Sequence, residues 1–262
     1  MNLLSKLNGR RRRGPDASVE VSEKDGIRYL HLGSDTIQSG MRIADPDELV
    51  LAYTRTMMSF LLFVPRPQRI VCVGLGGGSV SKWLYRHLPQ ARQTVLEHNA
   101  RVIVAARQYF GVPPDDARLQ VLRADGAQWI AEHPNCADLI LVDGYDGESQ
   151  VAELATLEFY RGAARALDRD GALVVNLWGS DRHFNEYLLR IETAFVGRVV
   201  CVPALQKGNI IVLAFRRRPA QTGWDALLVR ARLLEKLYGL EFARFVEVMR
   251  RLNPHTERGL LI

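Results

Sequence analysis

Four short apolar runs in this chain end on residues able to handle a polar ligand. Arg69–Val73 runs into Gly74-Leu75-Gly76-Gly77-Gly78, a bend where backbone can approach a ligand with no side chain between. Thr94–Leu96 ends at Glu97, 23 positions after Gly74. A carboxylate there can accept hydrogen bonds from both hydroxyls of a ribose. Leu119–Leu122 leads to Asp125-Gly126, whose carboxylate can accept from an adenine amino group while adjacent backbone completes recognition of the ring edge. Leu139–Val142 breaks into a loop carrying Asp143 and Asp146, both able to face one cleft. Each feature has a plainer reading taken alone: a packing bend, a solvent-facing Glu, an Asp-Gly turn. Three successive tips carrying Gly, Glu and Asp are more specific than any one of them. Together they point to a nucleoside, in a dinucleotide or an S-adenosyl compound.

Positioning these residues takes strands whose carboxyl ends lie side by side. The four runs, with Leu173–Asn176, alternate with helical patterns around Val80–His87, Ala100–Phe110, Ala127–His133 and Leu157–Leu167. Parallel strands need crossovers and the crossovers bring helices, so the alternation predicts an α/β parallel sheet covered on both faces. Ligands then bind at the strands' carboxyl ends. Arg198–Val202 and Ile210–Phe215, separated by a hairpin-length connection, add an antiparallel pair. The prediction is a Rossmann-like S-adenosylmethionine-dependent methyltransferase fold with a seven-stranded, mostly parallel sheet.

Four regions are expected. Residues 1–17 form a basic flexible arm, and residues 18–45 a small N-terminal β-cap with turns at Asp25-Gly26 and Gly33-Ser34-Asp35. Residues 46–218 form the nucleoside-binding domain, entered by a helix over Pro46–Phe63. Residues 219–262 form a helical extension, with one or two helices between Trp224 and Arg251.

Composition narrows the function classes. With 262 residues, 47% hydrophobic and 24% charged, the chain can bury one full-sized core. The formal net charge of +6 is concentrated in Lys6 and Arg10–Arg13, so the body beyond residue 13 carries only +1. No aromatic residue interleaves that basic run, which reads as a solvated arm, and no nucleic-acid partner is expected. Cys72, Cys136 and Cys201 lie apart in apolar surroundings with no CxxC spacing, which suits a reducing, cytoplasmic compartment. The longest apolar runs, such as Phe60–Val64, are too short to span a bilayer, so no membrane insertion is expected. The six histidines are dispersed, with no HxxxH pair, and no metal is expected.

The order of the motifs resembles spermidine synthases, the polyamine aminopropyltransferases, over roughly Ile27 to Phe215. In that family a GGGDGG loop, a strand-end Glu, an Asp-Gly or Asp-Ala pair and a DxxD loop follow one another, and a segment like EFYR comes next. Here DGYD begins at Asp143 and EFYR at Glu158. The stretch TIQSGMRIADPDELVLAYTRTMM is similar to the family's link between cap and core, with Tyr53 matching a substrate-contacting tyrosine. The resemblance implies transfer of an aminopropyl group from decarboxylated S-adenosylmethionine, as co-substrate, to putrescine or a related amine, releasing methylthioadenosine. Asp143 would be the base that orients the attacking amine, and Asp146 and Tyr53 would bind that substrate. The nucleoside site would comprise Gly74, Gly76, Gly78, Glu97, Asp125 and Gly126. A homodimer is the implied assembly.

The chain is a divergent member on this reading. Gly77 stands where the family has an Asp that holds the aminopropyl ammonium. The family's YHE or YQE reads Tyr53-Thr54-Arg55, the loop after Asp146 lacks a proline-rich gate, and the family's upstream nucleoside-binding Gln has no assigned counterpart. Two alternatives follow from these departures. One is a methyltransferase-type enzyme using S-adenosylmethionine itself, supported by Gly77, since the loop lacks the acid that would oppose the methionine carboxylate; Arg55 is a candidate partner for that carboxylate, with a surface salt bridge as its plainer role. The other is a non-catalytic nucleoside-binding relative. An NAD-dependent oxidoreductase would leave Asp125, the DxxD loop and the terminal strand pair unexplained.

Overall fold

The computed structural model describes residues 18–33, 36–144, 151–206 and 208–262. Asp146, Ser34, Asp35 and the basic arm lie outside the described residues.

Seven strands build the main sheet: β4 (Arg69–Val73), β5 (Arg92–Glu97), β6 (Leu119–Arg123), β7 (Ala137–Val142), β8 (Leu167–Trp178), β9 (Val199–Pro203) and β10 (Asn209–Phe215). A separate antiparallel sheet holds β1 (Val19–Lys24), β2 (Ile27–Leu32) and β3 (Ile37–Arg42). The large sheet runs β6-β5-β4-β7-β8-β10-β9, and only β10 is antiparallel to its neighbours. Val71 and Cys72 of β4, and Ile140 and Leu141 of β7, are all buried, as strands covered on both faces must be. From β4 the chain steps outward to β5 and β6, then returns to place β7 on the other side of β4. That reversal opens a crevice at the carboxyl ends of β4 and β7.

Helices cover both faces. One face carries α1 (Ala52–Met57), α2 (Ser79–His87), α3 (Ala100–Tyr109), α7 (Trp224–Tyr238) and α8 (Phe242–Leu252). The other carries α4 (Gly126–Glu132), α5 (Leu157–Ala166) and α6 (Phe184–Phe195). Side chains fix several helix starts: Asn99 accepts from the Arg101 N–H, Asp125 from those of Ala127 and Gln128, and Thr156 from that of Phe159. None of the described helices is long and apolar enough to cross a membrane.

Three local readings change. The helix expected over Pro46–Phe63 begins only at Ala52 and tightens into a 3₁₀ turn over Met58–Leu62. The Asp45-Pro46-Asp47 segment turns instead, with the Glu48 N–H donating to the Asp45 carbonyl at 3.1 Å. The expected strand Leu173–Asn176 is the inner part of a longer one, Leu167–Trp178. Helix α6, absent from the sequence reading, is the crossover between β8 and β9. Between Trp224 and Arg251 there are two helices, separated at Gly239, whose φ of +68° ends α7.

The β9 edge is closed by one side chain. Asn253 donates to the Cys201 carbonyl at 2.7 Å and accepts from the Cys201 N–H at 2.6 Å, copying the bonds of a neighbouring strand. Cys72, Cys136 and Cys201 are all free thiols.

Candidate active site

The tips of β4, β5 and β7 are stitched together by backbone. Gly74 N–H donates to the Leu96 carbonyl and Asp143 N–H to the Val73 carbonyl, each at 2.9 Å. Gly74 has φ +98°, and a Cβ there would lie 2.3 Å from the Asp143 carbonyl oxygen. Glycine is therefore required for the two strand ends to approach.

This crevice opens into a cavity of about 600 Å³ lined by Gly74, Gly76, Glu97, Asp125, Gly126 and Asp143, among others. The size suits a small organic ligand. Gly78 is not on its described wall. It adopts φ +73° before α2, and a Cβ there would strike Val112 at 2.2 Å. Gly126 both faces the cavity and brings the start of α4 close to β4, where a Cβ would meet Val73 at 2.5 Å.

Glu97 is buried, and backbone donors fix its carboxylate. Oε2 accepts from the Leu75 N–H at 3.1 Å and Oε1 from the Asn99 N–H at 2.9 Å. One side chain thus ties the glycine bend to the start of α3; His98 Nδ1 also lies 3.5 Å from Oε1, while Oε2 keeps a lone pair for a ligand. Asp125 uses a single oxygen, Oδ1, to cap α4 at 2.8 and 3.0 Å. Its other oxygen remains available to a ligand.

Asp143 sits among side-chain donors. The Tyr53 hydroxyl of α1 donates to Oδ2 at 3.0 Å, and the Asn176 amide of β8 donates to Oδ1 at 2.8 Å. Burial raises the Asp143 carboxyl above the usual carboxylate range, and these two bonds pull it partly back. Burial also pushes Tyr53 well above its ordinary value, with the Asp143 charge adding to the effect, so the phenol stays a donor.

Two further residues reach the site without having been singled out. Gln38, on β3, lines the cavity beside Gly74 and Asp143. Its signal in the sequence was the "TIQSG" segment, where a polar residue sits in a short β-prone stretch. Asn176 was legible only as the last residue of an apolar strand.

Gly77 packs where a larger residue would require its neighbours to shift. A Cβ would lie 2.8 Å from both Phe110 Cδ1 and Ser39 Oγ. Arg55 does not serve the cavity: Nε donates to Glu241 at 3.1 and 3.3 Å, and Nη1 to the Leu49 and Val50 carbonyls at 3.1 and 2.9 Å. It ties α1 to the C-terminal helices. The ionisable residues on the described cavity wall are Glu97, His98, Asp125, Asp143 and Glu153, with neither Lys nor Arg among them. The wall can therefore receive cationic and hydroxyl-bearing groups but offers no arginine or lysine to an anion.

Residues 50–219 match the model of the spermine/spermidine synthase domain. A polyamine aminopropyltransferase of Chromobacterium violaceum is 42% identical over 244 residues, covering 93% of this chain and 94% of the relative. A probable spermidine synthase from Corynebacterium glutamicum superposes with a TM-score of 0.70 at 19% identity, over 88% of this chain and 94% of that one. Human methyltransferase-like protein 13 in complex with SAH shares the fold, with a TM-score of 0.65 at 22% identity over 71% of this chain and 92% of that one. The chain belongs to the spermine/spermidine synthase family.

Proposed function

We propose that this chain is a polyamine aminopropyltransferase that moves an aminopropyl group from decarboxylated S-adenosylmethionine to putrescine or a related amine and releases methylthioadenosine. The observation that carries this reading is Asp143, set in a cavity whose described wall holds four carboxylates and neither lysine nor arginine. S-adenosylmethionine itself would bring a carboxylate into that surrounding without a cationic partner, at a desolvation cost. The decarboxylated donor brings only a sulfonium and an ammonium. Arg55, the cation that the methyltransferase-type alternative could offer to a methionine carboxylate, is held instead by Glu241 and two backbone carbonyls.

In the proposed reaction Glu97 accepts from the ribose hydroxyls, while Asp125 and the backbone at Gly126 read the adenine edge. Gly74 and Gly76 let the nucleoside lie against bare backbone. An alkylammonium has a pKa of about 10 and no free lone pair. Asp143, made more basic by burial, accepts the proton. The freed nitrogen pair attacks the carbon next to sulfur, an N–C bond forms, the C–S bond breaks and its electrons return to sulfur. The leaving group is a neutral thioether, so most of the catalysis lies in positioning. Tyr53 orients the Asp143 carboxylate at the amine end, and Asp146 pairs with the distal ammonium of the acceptor.

The test is product analysis by mass spectrometry with decarboxylated S-adenosylmethionine and putrescine. Equimolar methylthioadenosine and spermidine are expected. Methyl transfer from S-adenosylmethionine with no aminopropyl product would overturn the reading.

A further inference from the structure

The Asp143 carboxylate is the end of a longer chain of hydrogen bonds. Asn176 donates from Nδ2 to Asp143 Oδ1, and its own Oδ1 accepts from Nδ2 of Asn209 at 2.9 Å. Asn176 lies on β8 and Asn209 on the adjacent antiparallel β10. Asn176 faces Ile211 across the ladder, and Asn209 is two positions from that partner on the same face, within side-chain reach.

The direction of this chain follows from chemistry. An ionised carboxylate only accepts, so the Asn176 amide must present its NH₂ to Asp143. Its carbonyl oxygen then points the other way. Asn176 is buried, so that oxygen needs a donor. Asn209 provides it. Without a donor at 209, the buried Asn176 oxygen would be left unsatisfied and the amide would lose one of the two bonds that fix its orientation.

We propose that Asn209 is a positioning residue for the transfer reaction, acting through Asn176 to hold the Asp143 carboxylate in the orientation that receives the amine proton. This rests on the aminopropyltransferase reading above. Asn209 lines neither described cavity at Asp143, so its effect passes through the relay rather than through ligand contact.

Other ionisable groups face Asp143 from the elements packed around it. Tyr53 comes from α1 and Cys72 from β4, the latter pushed up to about 12 by burial and so neutral at working pH. Across the cavity stand Glu97 at the end of β5 and His98 just after it, Asp125 before α4, and Glu153 on the turn after β7. A neutral Asn209 substitution leaves all of these unchanged and adds no charge, so a displaced titration of Asp143 in Asn209→Leu reports the relay.

The experiment compares wild type with Asn209→Leu, which fills the space without donating, and Asn209→Asp, which replaces the amide donor by an acceptor. Asn209→Ala serves if either misfolds in thermal unfolding. Two readouts are taken: the pH dependence of kcat, and the titration of Asp143 in the ligand-free protein by carbon-13 NMR of labelled carboxyls. In Asn209→Leu, kcat at pH 7 is expected to fall about tenfold, with the donor KM unchanged. The acidic limb and the Asp143 titration should both move upward, furthest in Asn209→Asp. An unmoved Asp143 titration in folded Asn209→Leu would overturn the relay, whatever the added charge does in Asn209→Asp. If the titration moves but wild type forms no aminopropyl product, the relay stands and the functional reading fails. Product from wild type with unmoved titrations gives the opposite result.

Discussion

The two ends of the main sheet use the same residue types in opposite ways. At the amino ends, Asp138 and Asp168 meet Arg69: the guanidinium lies 3.3 Å from Asp138 and pairs closely with Asp168. Asp138 also accepts from the backbone N–H groups of Gln68 and Arg69. At the carboxyl ends, Glu97, Asp125 and Asp143 take their hydrogen bonds from backbone, a phenol and an amide, and no Arg or Lys shares the described wall with them. Carboxylates paired with a guanidinium are already compensated and serve the fold. Those satisfied by neutral donors keep their charge for a cation that arrives from solution.

A second contrast lies within the carboxyl end. Backbone N–H groups hold Glu97, so it is a fixed acceptor suited to binding. Side chains hold Asp143, so its basicity can be tuned by substitution, as chemistry requires.

Breaking the reactive end should have the largest effect. Asp143→Asn is expected to lower kcat by roughly 10²–10⁴-fold while methylthioadenosine affinity stays within a few-fold. Steady-state kinetics and calorimetry check both parts, and unchanged turnover would assign the base elsewhere. Glu97→Ala loses a carboxylate that fixes two N–H groups and faces the nucleoside. Methylthioadenosine should bind roughly 10–100-fold more weakly, since a hydrogen bond to a charged group is worth about 1.5–3 kcal/mol.

Tyr53→Phe sharpens the contrast between binding and chemistry. Losing this donor raises the Asp143 pKa further, so protonation of the base begins at higher pH. The acidic limb of the kcat profile should shift up by about one pH unit, with activity recovering as pH rises. A downward or absent shift would contradict the hydrogen bond's role. Arg69→Ala, at the opposite end of the sheet, should change least. A half-exposed ion pair contributes about 1 kcal/mol or less, so unfolding should ease slightly with kcat and KM unaltered.

Much of the fold was legible because it is written in local patterns. Val71, Cys72, Ile140 and Leu141 belong to continuous apolar runs that only buried parallel strands explain. The tips carrying Gly74, Glu97, Asp125 and Asp143 followed from where those runs stop. The relay was not legible: Asp143, Asn176 and Asn209 are spaced 33 residues apart, and sheet order alone brings them together. The partner of Arg55 was hidden for the same reason, because Glu241 lies 186 residues away. Helix α6 lies between the expected strands ending at Asn176 and starting at Arg198, a stretch for which the sequence reading named no element. The late start of α1 reflects a turn at Pro46 and the carbonyls of Leu49 and Val50, which Arg55 satisfies.

The central claim is that the cavity above Asp143 selects a donor lacking a carboxylate. Calorimetric titration of the wild-type protein with decarboxylated S-adenosylmethionine and with S-adenosylmethionine tests it directly. The decarboxylated compound should bind at least about tenfold more tightly, a difference of about 1.4 kcal/mol. Equal affinity, or tighter binding of S-adenosylmethionine, would contradict it.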